Sequence, residues 1–251
     1  MTASLKSRLA AGETIVGTFV KTPSPIIVEV LGLTGLDCLC LDAEHAPFDR
    51  GSIDLCVMAA RAAGMDVLVR TPSVAPEHIL NALDCGATGI VLPHIRSAAE
   101  ARAAAAASQY GHGGRGYAGS SRAAGYTTRS MADHQAASAA RTVVIAQIED
   151  PEAIDAIDEI AQVEGVDALF VGRVDLTVAY GATSQDDPRV VAAVEAVCAA
   201  GVRHGRPVGM FLARVEDVPL WRDKGASLFL LGSDHSFILS GAADLLKRAK
   251  A

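Results

Sequence analysis

Apolar positions along this chain gather into short, nearly continuous runs rather than alternating with polar ones. They fall at residues 14–20, 38–42, 66–70, 89–95, 142–149, 168–175, 207–213 and 227–233. Runs of this kind predict strands buried on both faces. Helical patterns lie between them. Asp150 stands at a cap position, Pro151 suits a first helical turn, and Ile154, Ile157 and Ala161 then form one apolar stripe. Asp187 and Pro188 open another helix in the same way, running to about His204. Residues 100–108 are Ala-rich and helix-forming, and an apolar helix is expected from His235 to Lys250. Strand and helix alternate eight times without a Ser/Gly/Pro linker, which predicts an α/β chain folded as a single (β/α)8 TIM barrel over residues 1–251. The rival is a doubly wound sheet, which usually has a Gly-rich turn after its first strand; here Lys21, Thr22 and Pro23 follow instead. One stretch, residues 110–126, breaks the rhythm with six glycines, and long irregular segments in compact domains are usually functional.

Composition changes this picture little. Half of the 251 residues are hydrophobic. No run approaches the roughly 18 apolar residues of a membrane span, so the surplus belongs to buried strands and small-residue helices. The net charge of −7, with no Lys/Arg block, excludes the electrostatic footprint of nucleic-acid binding. The N-terminal residues contain no apolar signal core, so a cytoplasmic location is expected. Five cysteines without CxxC spacing read as reduced core residues.

In such a barrel the chemistry sits at the C-terminal strand ends. Asp42, Glu44 and His45 follow the second run, Arg70 ends the third, Gln147 and Glu149 end the fifth, and Gly172, Arg173, Val174 and Asp175 end the sixth. Glu149 and Asp175 should project from neighbouring strands as a hard oxygen site for a divalent metal such as Mg²⁺ or Mn²⁺; the alternative reading is that each merely caps the following helix. A buried Arg70 needs an anion: either an ion pair with Asp42 or Glu44, or a substrate oxyanion. His45, flanked by carboxylates, is the best-placed candidate base, and His94 a weaker one. Asp84, late in a helix, is either simply exposed or the orienting partner of a histidine. Of five lysines only Lys21 lies near a strand end, which argues against Schiff-base chemistry, and the missing Gly-rich turns after strands 7 and 8 disfavour phosphorylated substrates.

Residues 41–49 (LDAEHAPFD), 69–72 (VRTP), 83–86 (LDCG), 91–93 (VLP), 114–116 (GRG), 147–150 (QIED) and 170–176 (FVGRVDL) resemble, in order and spacing, the HpcH/HpaI class II pyruvate aldolases. These include 2,4-dihydroxyhept-2-ene-1,7-dioate aldolase and 2-keto-3-deoxy-sugar-acid aldolases. The resemblance implies a barrel of the phosphoenolpyruvate/pyruvate-domain type and reversible cleavage of 4-hydroxy-2-oxo acids to pyruvate, or a related oxo acid such as hydroxypyruvate, plus an aldehyde. It implies Glu149 and Asp175 as ligands of Mg²⁺ or Mn²⁺, with Co²⁺ or Zn²⁺ as substitutes. Arg70 would bind the C2 oxygen and His45 would act as base, with Asp42 beside it and Asp84 orienting it, in some members across a subunit boundary. Gln147 and the backbone after Gly172 would line the pyruvate pocket, and Arg122 is the nearest match to an Arg that contacts acceptor carboxylates. Homohexamers, as trimers of dimers with exchanged C-terminal helices, are usual. One departure stands out: Gly172-Arg173-Val174 replaces the common Gly-Pro before the metal aspartate, so Arg173 is expected to influence the choice of oxo acid. The alternatives are a citrate-lyase-like or malyl-CoA-lyase-like enzyme, for which no basic adenine-phosphate patch is evident, and a non-catalytic oxo-acid-binding barrel.

Overall fold

Each strand pairs in parallel with the next, and the eighth returns to the first, so the sheet closes as β1–β8 in chain order. In this computed structural model, which describes residues 3–251, the strands are β1 Ile15–Val20, β2 Cys38–Asp42, β3 Asp66–Arg70, β4 Gly89–Leu92, β5 Val143–Ile148, β6 Ala168–Val171, β7 Val208–Leu212 and β8 Ala226–Ser233. Helices cover the outside, and the main apolar core lies between them and the barrel wall. This is the (β/α)8 TIM barrel expected from the runs, and all eight strands lie where apolar continuity placed them.

A second core fills the barrel itself, where Phe19, Leu68, Val91, Ile145, Phe170 and Leu228 pack together. Leu5 and Leu9, from the helix Leu5–Ala10, close this interior from the N-terminal side. That helix is anchored: Lys6 Nζ donates to the Thr142 carbonyl at 3.0 Å and pairs with Asp167 at 3.0 Å, and Arg8 pairs with Asp37 at 2.7 Å. The floor of the barrel is therefore apolar and tied down, and within the barrel the charged groups converge at the opposite, C-terminal mouth.

Four local expectations change. β4 stops at Leu92 rather than residue 95, because His94 adopts a left-handed conformation with φ 54°, which is incompatible with a strand. β6 stops at Val171, and a helix begins at Arg173, so Asp175 occupies a first helical turn instead of a strand end. Asp150 makes no side-chain cap; its carboxylate accepts from His94 Nδ1 at 3.0 Å and pairs with Arg96 at 3.2 Å. The expected helix after Pro151 divides into Pro151–Asp155 and Ile157–Ala161. Helix Pro188–His204 begins and ends as expected, with Asp187 accepting from the Arg189 amide and Gly205 at φ 61°.

The glycine-rich segment links helix Ala98–Ser108 to helix Met131–Arg141. It packs against the end of helix Pro76–Asp84, where Ala123 N donates to the Asp84 carbonyl at 3.3 Å. All five cysteines are free and buried, and burial pushes the Cys38 thiol up to about 12. No described helix is long and apolar enough to cross a membrane.

Candidate active site

The strand ends bring charge into an apolar well, and each charge is held by another. Asp42, the last residue of β2, is fully buried, which is costly unless it is paired. Arg70, ending β3 in register with it, supplies the partner: Nη2 lies 2.8 Å from Asp42 Oδ2 and Nε donates to Oδ1 at 3.0 Å. This two-point contact is the geometry that suits guanidinium and carboxylate. The buried Arg70 guanidinium also stacks 4.6 Å above Phe19 and lies 3.3 Å from Glu44 Oε2. Although burial opposes its charge, the bond to Arg70 holds the Asp42 carboxyl below the usual range. Asp42 Oδ1 further accepts from the His45 amide at 3.2 Å, and Lys21 Nζ stands 3.4 Å from Oδ2. Asp42 thus organises Arg70, Lys21 and the backbone of His45, rather than the His45 ring. That ring is more than half exposed at the mouth, its Nε2 3.7 Å from Glu44.

Across the barrel, Glu149 follows β5 and is buried. Burial pushes its carboxyl above the usual range, against the opposing bonds from Gln147 and from the His94 amide. Gln147 Nε2 donates to its Oε2, and His94 N donates to its Oε1 at 2.8 Å. The left-handed turn at His94 aims that amide, a backbone strain of the order of 1–3 kcal/mol held where it orients the Glu149 carboxylate. Gly172 separates Glu149 from Asp175: a Cβ there would stand 2.6 Å from Glu149 Oε2 and 3.4 Å from Asp175 Oδ2. The two carboxylates therefore border one small space that only glycine leaves open.

Glu44, His94 and Glu149 offer donor atoms within 4.8 Å of one another, a grouping able to hold a metal ion. Burial raises the Glu44 carboxyl, with the Glu149 charge adding to it. Burial lowers the His94 ring, but the bond to Asp150 and the charges of Glu149 and Glu44 raise it on balance. Gln147 Oε1 is buried without a hydrogen-bond partner, as expected of a group that awaits a ligand. The donors fit a hard divalent cation.

A cavity of about 490 Å³ opens beside these groups, lined by Arg70, His45, Gln147, Gly172 and Asp175, with Phe19, Phe170 and Phe211 as its apolar wall. Of the residues singled out in the sequence, the structure thus brings together Asp42, His45, Arg70, Gln147, Glu149, Gly172 and Asp175. Arg173 and Val174 border this cavity and a neighbouring one, while the Arg173 guanidinium stacks on Trp221 at 5.1 Å with its charge disfavoured by burial.

Two residues are not brought in. Asp84 meets no histidine of its own chain and is not exposed; its Oδ1 accepts from Arg115 Nη2 at 2.5 Å. Arg122 pairs with Asp54 at 2.6 Å and does not line the cavity. Conversely, sequence reasoning treated Glu44 as a neighbour of His45 and Arg70 only. Its nearness to Glu149, across the barrel from β2 to β5, has no signature in spacing.

The model of the HpcH/HpaI aldolase/citrate lyase family matches residues 16–240. The chain belongs to this family. It is an enzyme of the metal-dependent aldolase and lyase type, as its ordered motifs implied. Among curated relatives, 5-keto-4-deoxy-D-glucarate aldolase of Escherichia coli O6:H1 is 34% identical over 242 residues, covering 96% of this chain and 94% of its own. An HpcH/HpaI family protein from Burkholderia cenocepacia J2315 superposes with a TM-score of 0.95 at 32% identity over the whole of both chains. The citrate synthase SbnG superposes at 0.88 with 30% identity, covering 98% of this chain and 97% of its own.

Proposed function

We propose that this family member cleaves 4-hydroxy-2-oxo acids reversibly to pyruvate, or a related oxo acid such as hydroxypyruvate, and an aldehyde. The observation that carries this reading is the convergence of Arg70, Gln147, Glu149 and Asp175 on one aromatic-walled cavity, with His45 at its mouth. Glu149 and Asp175 would hold the divalent metal, Mg²⁺ or Mn²⁺, with Glu44 and His94 close enough to support it. When bound, the ion supplies positive charge against the carboxylate and keto oxygens of the oxo acid and so favours its enolate.

The chain's own residues then divide the remaining work. Asp42 and Glu44 engage Nε and Nη2 of Arg70, leaving Nη1 for the C2 oxygen, where enolate charge develops. In the cleavage direction His45 accepts the proton of the 4-hydroxyl as the C3–C4 bond breaks. The electron pair of that bond passes into the enolate facing Arg70, and return of the proton from His45 to C3 completes pyruvate and restores the base. Phe19, Phe170 and Phe211 exclude water from the enolate. Gln147, locked to Glu149, orients that carboxylate. Arg173 borders the same cavity and is the residue proposed to bias the choice between pyruvate and more polar oxo acids.

Asp84, taken by Arg115 in its own chain, would orient His45 only from a neighbouring subunit, and Arg122 would reach an acceptor carboxylate only in the same way. A homohexamer with exchanged C-terminal helices agrees with the helix Asp234–Ala249, where Ile238, Leu239, Leu245 and Leu246 are exposed. A cytoplasmic location agrees with the five free cysteines.

The test is pyruvate release from a panel of 4-hydroxy-2-oxo acids. Activity should disappear with a chelator and return with Mg²⁺ or Mn²⁺, and borohydride with substrate should not trap the protein. Covalent trapping, for instance at Lys21, would overturn the reading.

A further inference from the structure

The catalytic mouth leaves the glycine-rich segment unexplained. That segment, helix Met131–Arg141 and the chain entering β3, β4 and β5 enclose a second cavity of about 340 Å³ on the N-terminal face of the barrel. Its wall carries four arginines, Arg61, Arg115, Arg129 and Arg141, against one carboxylate, Asp66. Arg61, Arg129 and Arg141 have no ion-pair partner among the described residues, and all three are exposed. Arg115 is different. Its side chain is only 2% exposed, it stacks 4.8 Å above Tyr110, and Asp84 takes its Nη2. Its Nε is buried with no hydrogen-bond partner. A desolvated guanidinium N–H without a partner is costly, and cost retained at a cavity wall marks a group kept for a ligand.

The surroundings carry the same sign. His134 lines the cavity with its Nε2 within 2.9 Å of the Tyr110 hydroxyl, and burial together with the charges of Arg115 and Arg129 lowers its ring below the ordinary histidine range. It therefore adds no positive charge and is available as a neutral hydrogen-bonding group. Thr88, Ser138 and Thr142 add hydroxyls to the wall. Asp66 is already engaged by the Thr88 hydroxyl at 2.9 Å. Four guanidinium groups around a space of this size suit a small oxyanion carrying two or more charges, because each can donate two parallel hydrogen bonds to carboxylate or phosphate oxygens.

We propose that this arginine-walled cavity on the N-terminal face binds a small multiply charged oxyanion, at a site separate from the oxo-acid cavity. It holds whether or not the aldolase reading does, since no residue lines both cavities. The experiment is calorimetric titration of the Mg²⁺-loaded enzyme with inorganic phosphate and, in a parallel arm, with tricarballylate. Both arms are run with and without saturating pyruvate, on the wild type and on Arg129→Ala/Arg141→Ala. Those two side chains are exposed and unpaired, so the variant should keep its fold and its pyruvate-forming activity. The expected result is saturable binding of at least one probe, one per chain, unaffected by pyruvate and weakened roughly tenfold or more in the variant. The stronger arm identifies the ligand as phosphate-like or carboxylate-like. Absence of saturable binding in both arms, displacement by pyruvate, or undiminished binding to the variant would each overturn the proposal.

Discussion

Arg70 and Asp42 end adjacent strands in register and share two contacts, Nη2 to Oδ2 at 2.8 Å and Nε to Oδ1 at 3.0 Å. Neither charge is tolerable alone at that depth. Asp42→Asn removes the fully buried two-point partner of the guanidinium, leaving it only the single contact to Glu44, and is expected to destabilise the protein by about 3 kcal/mol. Urea unfolding of the two proteins checks this. Arg70→Lys keeps a charge but loses the fork, and should lower kcat by about 10²–10³. An activity within a factor of two of the wild type would remove Arg70 from the mechanism.

The carboxylates divide by their part in metal binding. Glu149→Gln and Asp175→Asn should each weaken Mn²⁺ binding by tens-fold or more and abolish chelator-sensitive pyruvate release. His94→Gly preserves the left-handed backbone and the amide bond to Glu149 while removing the ring. It should change Mn²⁺ affinity only a few-fold. Titration followed by paramagnetic resonance of free Mn²⁺ reads all three, and the reverse order would move the ion toward Glu44 and His94.

Gly172→Ala is the sharpest steric test. Its new methyl group would meet Glu149 Oε2 at 2.6 Å, so the carboxylate must move. The barrel should stay folded by circular dichroism while kcat falls by about tenfold or more, a loss typical of a misplaced catalytic group.

His134 makes stability depend on pH. Its folded ring resists protonation, through burial and the nearby guanidinium groups, whereas the unfolded chain takes up a proton near pH 6.5. The unfolded state therefore binds more protons below that value, and stability should fall as the pH drops from 7.5 to 5.5. His134→Gln should flatten this slope in thermal unfolding measured at both pH values.

The exposed apolar face of helix Asp234–Ala249 makes a prediction for assembly. Leu245→Glu with Leu246→Glu places two charges on it, and light scattering should then report a smaller particle than the wild type. An unchanged mass would exclude this helix from the interface.

What could be read in advance follows from the range of the forces involved. The barrel was legible because strands buried on both faces leave continuous apolar runs, and a run such as 38–42 or 66–70 is bounded as sharply in sequence as in space. The end of β6 was not. Val171 passes to Arg173 without a break in polarity pattern, and the turn into a helix depends on Gly172 fitting against Glu149, 23 residues earlier in the chain. Arg70 and its acidic partners were foreseeable because a buried cation at a strand end must be paired. Asp150 misled because the same carboxylate can cap a helix or reach His94, and only the fold brings His94 within 3.0 Å. The same-chain partner of Asp84 was not legible either, since Arg115 lies in the irregular segment.

The leucines that seal the barrel have a consequence for traffic. With Leu5 and Leu9 packed into its lower end and Lys6 latched to Asp167, the oxo-acid cavity is reached from the C-terminal mouth. Whatever lodges deepest, against Gln147 and Gly172, must arrive first and depart last. Initial-rate kinetics in the synthesis direction should accordingly show an ordered sequence, with the oxo acid preceding the aldehyde.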